Sequence, residues 1–228
     1  MKFCRRLTIN DKEIHIVSDT WVLEENAPGR GILVVKSDQV LSGVVRFSMG
    51  WDNTIQQWFT GYVESSIEQD TSHQRLRVRD TSGALDKPFL VSMRNVSPRD
   101  LLEAIAEKTH VTWIMGNVPQ TKLSHVVNQG TARAAVMRLG RELGIADWTC
   151  QAMPDGSIYV GPLADLKLKT ITIPSRMLSD VAVTGAALHA EPNLRPGTIL
   201  IPGNSDPMRV TMLTLTNHTL RIRWRKAV

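Results

Sequence analysis

The chain has 228 residues, of which 42% are hydrophobic and 21% charged. That is too apolar for a disordered polymer and long enough for one or two domains with a sizeable core. A formal net charge of +5 and a pI near 9.5 permit a polyanionic partner without requiring one. The two cysteines, Cys4 and Cys150, share no C-x-x-C spacing, so a disulfide framework and a zinc or iron–sulfur site are not expected; both are read as buried thiols.

The basic start, Met1-Lys2-Phe3-Cys4-Arg5-Arg6-Leu7, is followed by Asn10, Asp11, Lys12 and Glu13 in place of an apolar stretch. Neither a secretory signal nor a membrane span is expected. Residues 1–90 then read as strands, within a first β-barrel domain expected over 1–95. Leu7, Ile9, Ile14, Ile16 and Val22 lie in short runs broken by Asn10-Asp11. Gly31-Ile32-Leu33-Val34-Val35, the stretch from Val40 to Met49, and Trp58-Phe59-Thr60-Gly61-Tyr62-Val63 follow. Leu76-Arg77-Val78-Arg79-Asp80 alternates with period two, which turns Leu76 and Val78 inward. Closely spaced strands with Gly, Asn and Asp between them indicate a barrel or sandwich.

The pattern changes at Ser97-Pro98-Arg99-Asp100. Ser97 suits an N-cap, Pro98 the first helical position, and Asp100 the positive end of the helix dipole. Leu101, Leu102, Ile105 and Ala106 continue at helical spacing to about Thr109, and Val111 to Met115 reads as a strand. A second helix is expected from Thr131-Ala132-Arg133, with Ala135, Val136, Leu139 and Leu143 on its apolar face and Gly144 as a left-handed terminator. A hairpin from Trp148 to Val160 should turn at Pro154-Asp155-Gly156. Each half runs cap, helix, tryptophan-bearing strand, with 16 positions from Ser97 to Trp113 and 17 from Thr131 to Trp148. This is a weak internal repeat, too short for a solenoid. Residues 96–163 are therefore read as an inserted α/β module. Residues 164–228 are read as a closing β segment or a second barrel, with a turn at Pro192 to Gly197 and another at Asn217-His218. The fold class expected is α+β, mainly β: tube-like antiparallel barrels carrying a helix–strand insertion.

Little in the sequence points to catalysis. His15, His73, His110, His125, His189 and His218 show no metal-binding spacing and read as surface or loop histidines. No nucleophile elbow, Walker loop or dinucleotide fingerprint is present. Gly29-Arg30-Gly31 leads into a strand and lacks the helix that a phosphate cradle uses. Ser124-His125 are chain neighbours, a poor arrangement for a nucleophile and its base. Glu24-Glu25 would point to opposite faces of a strand, and Glu64 and Glu68 are expected to flank a turn. No catalytic, metal or cofactor site is expected. The most patterned charges are Arg221, Arg223 and Arg225, alternating with Leu220, Ile222 and Trp224. They form a possible basic contact strip for phosphate or for carboxylates of a neighbouring subunit, set against the plain alternative of a solvated strand face.

Gln57-Trp58-Phe59-Thr60-Gly61-Tyr62-Val63, Leu76 to Leu85, Ser97 to Ala106, and Asn193-Leu194-Arg195-Pro196-Gly197 resemble, in order and spacing, segments of the bacteriophage tail and baseplate hub proteins. These are typified by Mu-like contractile phages and related to the VgrG hub of type VI secretion. In that family the first two motifs belong to the first barrel, the third to the inserted helical unit, and the fourth opens the closing β segment. The resemblance implies a homotrimer with a pseudo-six-fold ring. The ring would meet a hexameric tail tube or distal tail protein on one side and a central spike or fibre on the other, with DNA passing through. It implies a virion protein made in the bacterial host cytoplasm. The chain departs from larger hubs, which run well beyond 300 residues, and its closing block is small for a full second barrel. Two other readings stand beside the hub: an OB-like nucleic-acid-binding barrel, and a peptidoglycan hydrolase.

Overall fold

A computed structural model describes residues 2–52 and 54–227. Seven strands come first: β1 (Phe3–Ile9), β2 (Lys12–Ile14), β3 (Ile16–Glu24), β4 (Arg30–Lys36), β5 (Val44–Trp51), β6 (Thr54–Asp70) and β7 (His73–Asp80). Next come β8 (Val91–Val96), α1 (Pro98–Thr109), β9 (Trp113–Met115), β10 (Leu123–Asn128), α2 (Ala132–Glu142), β11 (Trp148–Ala152) and β12 (Ile158–Pro162). The chain closes with β13 (Ile171–Ile173), β14 (Leu178–Ala182), β15 (Gly185–His189), β16 (Ile199–Pro202), β17 (Met208–Thr216) and β18 (Thr219–Lys226). The fold is α+β and mainly β, as expected. It divides into two units: Met1–Glu25, Gly29–Asp80 and Leu168–Val228 form the first, Asn26–Pro28 and Thr81–Lys167 the second.

In the first unit, all thirteen strands share one sheet, ordered β14-β15-β18-β17-β3-β4-β7-β6-β5-β1-β2, with β16 joined to β17 and β13 to β16. The pairings are antiparallel except β13 with β16. The closing strands enter through β17, which lies against β3 with Leu213 opposite Leu23 and Leu215 opposite Trp21. One apolar core therefore contains Leu7, Trp21, Phe47, Trp58 and Leu76 together with Leu200, Leu213, Leu220 and Ile222. Leu76 and Val78 face inward, as their alternation requires. The strand β6 is far longer than its aromatic centre suggests. Glu64 and Glu68 both lie within it, and the turn falls beyond Asp70, which corrects the expected turn between them. Glu64 is held there by Arg79, 3.0 Å away on β7. Neither cysteine forms a disulfide; Cys150 is buried, whereas Cys4 is only half-buried on β1.

Buried polar groups fix the core. Asp19 is buried and takes an ion pair from Arg5 and a hydrogen bond from Trp21 Nε1 at 2.7 Å. Burial pushes its carboxyl above the ordinary value, and the Arg5 charge and the Trp21 bond act against that rise. The Arg195 guanidinium lies 5.4 Å from the Trp58 ring and donates to the Trp58 carbonyl. Burial lowers its pKa to about 10, and the Asp80 charge opposes that shift. The Asp80 carboxylate accepts from Gly29 N at 2.6 Å. The turn motif at Pro192 to Gly197 is thus pinned to β6 through its arginine.

In the second unit, α1 starts with a full capping box: Ser97 accepts from Asp100 N, and Asp100 accepts from Ser97 N. His110 ends it in the left-handed region. Thr131 caps α2, and Gly144 follows it at φ +66°. The two tryptophan-bearing strands flank β12, β9 parallel and β11 antiparallel. The repeated helix–strand plan therefore closes into one small sheet. Each tryptophan meets its own helix: Trp113 Nε1 donates to Leu102 O at 2.8 Å, and Trp148 packs on Gly140. A Cβ at Gly140 would lie 2.2 Å from Trp148 Cγ, so that glycine is required by close approach. The antiparallel ribbon of β8 and β10 completes this unit.

Two stability measurements check this account. Arg5→Ala leaves a buried carboxylate without its cation and should cost about 3 kcal/mol in chemical denaturation. Arg6→Ala, which loses an exposed pair with Glu13, should cost about 0.5 kcal/mol or less. Separately, Gly140→Ala should destabilise by about 1–3 kcal/mol through overpacking against Trp148.

Candidate interaction surface

The strand β18 turns Leu220, Ile222 and Trp224 into the core and Arg221, Arg223 and Arg225 outward. Arg221 lies 3.5 Å from Asp180 on β14, and Arg225 lies 3.4 Å from Glu25. Arg223 faces Gly185 across the ladder, where a shallow cleft of about 280 Å³ is lined by Thr184, Met212 and Thr214 among others. The β7 strand repeats this construction. Its inward Gln74, Leu76 and Val78 alternate with Arg75, Arg77 and Arg79, so a second arginine ladder stands on the outer face. The signal was present in the same period-two run that buries Leu76 and Val78. Beside this ladder, Thr20, Val22, Arg30 and Ile32 line a cleft of about 250 Å³, with Ile32 opposite Arg77 and 46% exposed.

The other sequence candidates scatter. Glu24 pairs with Arg30 at 3.4 Å, Glu25 with Arg225, and Glu64 with Arg79, so these carboxylates serve local ion pairs. His125 meets Ser92 Oγ at 3.1 Å on the β8–β10 ribbon, and Ser124 is an exposed strand residue. Arg30 and Gly31 open β4, with no helix after them. The sequence does not announce one juxtaposition. His189 and His218 stack at 6.1 Å, and Trp51 meets His189 edge-on at 5.9 Å. With Phe3, Arg5 and Asn217 they line a cleft of about 440 Å³. Trp51 Nε1 donates to Ala190 O at 2.7 Å, which holds that wall in place. Among the described residues, no group of three or more His, Cys, Asp or Glu side chains is placed to hold a metal ion, and no helix is long and apolar enough to cross a membrane.

Compared with known structures, the whole chain aligns with the 43 kDa tail protein of prophage MuSo2 from Shewanella oneidensis. The TM-score is 0.74 over 99% of this chain and 97% of that one, at 8% identity. The fold is that of phage tail proteins. The c3393 protein of E. coli, a type VI secretion component described as structurally similar to the T4 tail proteins gp27 and gp5, aligns with a TM-score of 0.70 at 12% identity, covering 97% of this chain and 77% of that one. In sequence, the chain is 27% identical over 208 residues to a 58.7 kDa protein of Haemophilus phage HP1 encoded 3′ of lys, spanning 88% of this chain and 38% of that protein. The chain thus spans well under half the length of its phage relative. No protein-family model matches it.

The turn below the β7 ladder carries a pH signature. Asp70 accepts from Ser72 N at 2.8 Å and pairs with His73 at 2.9 Å, which together bring its pKa from 3.8 down to about 2. Because the folded value lies below the unfolded one, its stabilisation is complete above about pH 4 and is lost as pH falls towards 2. Asp70→Asn should therefore flatten that part of the acid-denaturation curve relative to the wild type.

Proposed function

We propose that the chain is a structural, non-enzymatic component of a phage tail tip or baseplate. In this reading it is a homotrimeric hub that joins the hexameric tail tube, or a distal tail protein, to the central spike or fibre and lines the channel through which DNA passes. The observation that carries it is the alignment of the entire chain, both units included, with a phage tail protein at a TM-score of 0.74. The 27% identity to a phage HP1 protein supports the same source. The physical character of the chain fits an assembly part. Its patterned charges lie on strand faces and in ion pairs, and the clefts beside both arginine ladders are lined mainly by strand residues. The chain is then synthesised in the host cytoplasm and ends in the virion tail.

Immunogold labelling of purified particles tests this reading. Label confined to the distal end of the tail, together with tails that fail to assemble when the gene is deleted, is the expected result. A chain that remains in the lysate while complete tails form without it overturns the proposal.

A further inference from the structure

Seven local ion pairs tie up carboxylates and cations on this chain. Asp11 pairs with Arg46, Glu13 with Arg6, Glu24 with Arg30, Glu64 with Arg79, Asp86 with Arg133, Asp180 with Arg221, and Asp206 with Lys226. Two further sets are regularly spaced on a single element each. On β7 the guanidiniums of Arg75 and Arg77 have no ion-pair partner among the described residues, and both are exposed. On α1, Glu107 is exposed and has no cation at ion-pair distance among the described residues, while Glu103 reaches Arg99 only at 4.0 Å with both side chains well exposed.

The two sets have matching pitch. Residues two apart on a strand are about 6.6–6.8 Å apart along it. Residues four apart on a helix are about 6 Å apart and share a face. Arg75 and Arg77 can therefore meet Glu103 and Glu107 one to one. The surroundings point to a protein partner and away from a polyphosphate. Glu24 and Glu64 stand on the same outer face and would repel phosphate, whereas Val22 and Ile32 line the cleft beside the ladder and favour a partner with apolar surface. Arginine beside apolar side chains is characteristic of protein interfaces.

We propose that the β7 arginine ladder of one copy docks on the acidic face of α1 of a second copy. Strand against helix is a head-to-tail contact, the type that closes into a cyclic ring when the rotation permits. This inference rests on the homotrimeric reading above and supplies the contact that would build the ring. The β18 ladder is left out because Arg221 and Arg225 already have carboxylates at 3.5 and 3.4 Å.

Sedimentation velocity of the full chain, at several salt concentrations, tests it. The wild type should associate at low salt and less at high salt, because exposed pairs are screened. Arg75→Glu with Arg77→Glu should weaken association about tenfold or more, and so should Glu103→Arg with Glu107→Arg. The variant carrying all four substitutions should associate like the wild type, an outcome that misfolding cannot produce. Association that survives either reversal, or is not restored by combining them, overturns the contact while leaving a trimer intact. A chain that labels the tail tip yet stays monomeric at every concentration and salt overturns both the contact and the trimer, and leaves the tail assignment standing.

Discussion

The antiparallel pairing of β17 with β3 is the constraint on which the first unit depends. It sets Leu213 against Leu23 and Leu215 against Trp21, nearly two hundred residues apart in sequence. Without it, β18, β15, β14, β16 and β13 have no route into the sheet, and the core loses Leu200, Leu220 and Ile222, which belong to one cluster with Phe47 and Trp58. The entropy of closing so long a loop grows only logarithmically with its length, so the pairing is thermodynamically affordable. Its burden is kinetic: contacts this distant form late and slow folding. A self-contained second unit, with its own core of Leu101, Ile105, Val136 and Val160, lies in sequence between the two parts of that sheet.

Arginine serves three distinct tasks on this framework. Arg5 and Arg195 are drawn into the first unit, where one neutralises the buried Asp19 and the other stacks on Trp58 while bonding its carbonyl. Arg133 does similar work in the second unit, reaching Asp86 at 2.7 Å and the Ser82 carbonyl at 2.6 Å. The strand arginines remain outside in period-two rows. The planar, five-donor guanidinium suits all three, since it can stack, chelate and remain charged when partly desolvated.

The sequence was most legible where local chemistry decides the structure. Ser97, Pro98 and Asp100 mark the start of α1, Thr131 marks α2, and Gly144 marks the stop, because caps and left-handed residues act within a few positions. It was least legible where a partner distant in sequence decides. The outer half of β6, from Glu64 to Asp70, looks like a polar loop and is a strand because His73 to Arg77 of β7 pair across from it. The strands β8 and β10 carry serine, asparagine, arginine and histidine among their apolar residues, and Asn95 adopts a positive φ, so neither shows clean alternation. The His189–His218 stack has no sequence signature, since it arises when the end of β15 meets the turn before β18.

The ends of the large sheet bear on how the chain meets copies of itself. At one end β2 has three residues, two of them charged; at the other, β14 is broken by a shift between Ser179 and Ala182, with Asp180 held at φ +50°. Short, charged or kinked borders are poor templates for uncontrolled strand addition. Backbone-to-backbone addition of a second copy is disfavoured at these two borders, and recognition there is left to side chains, which can be specific.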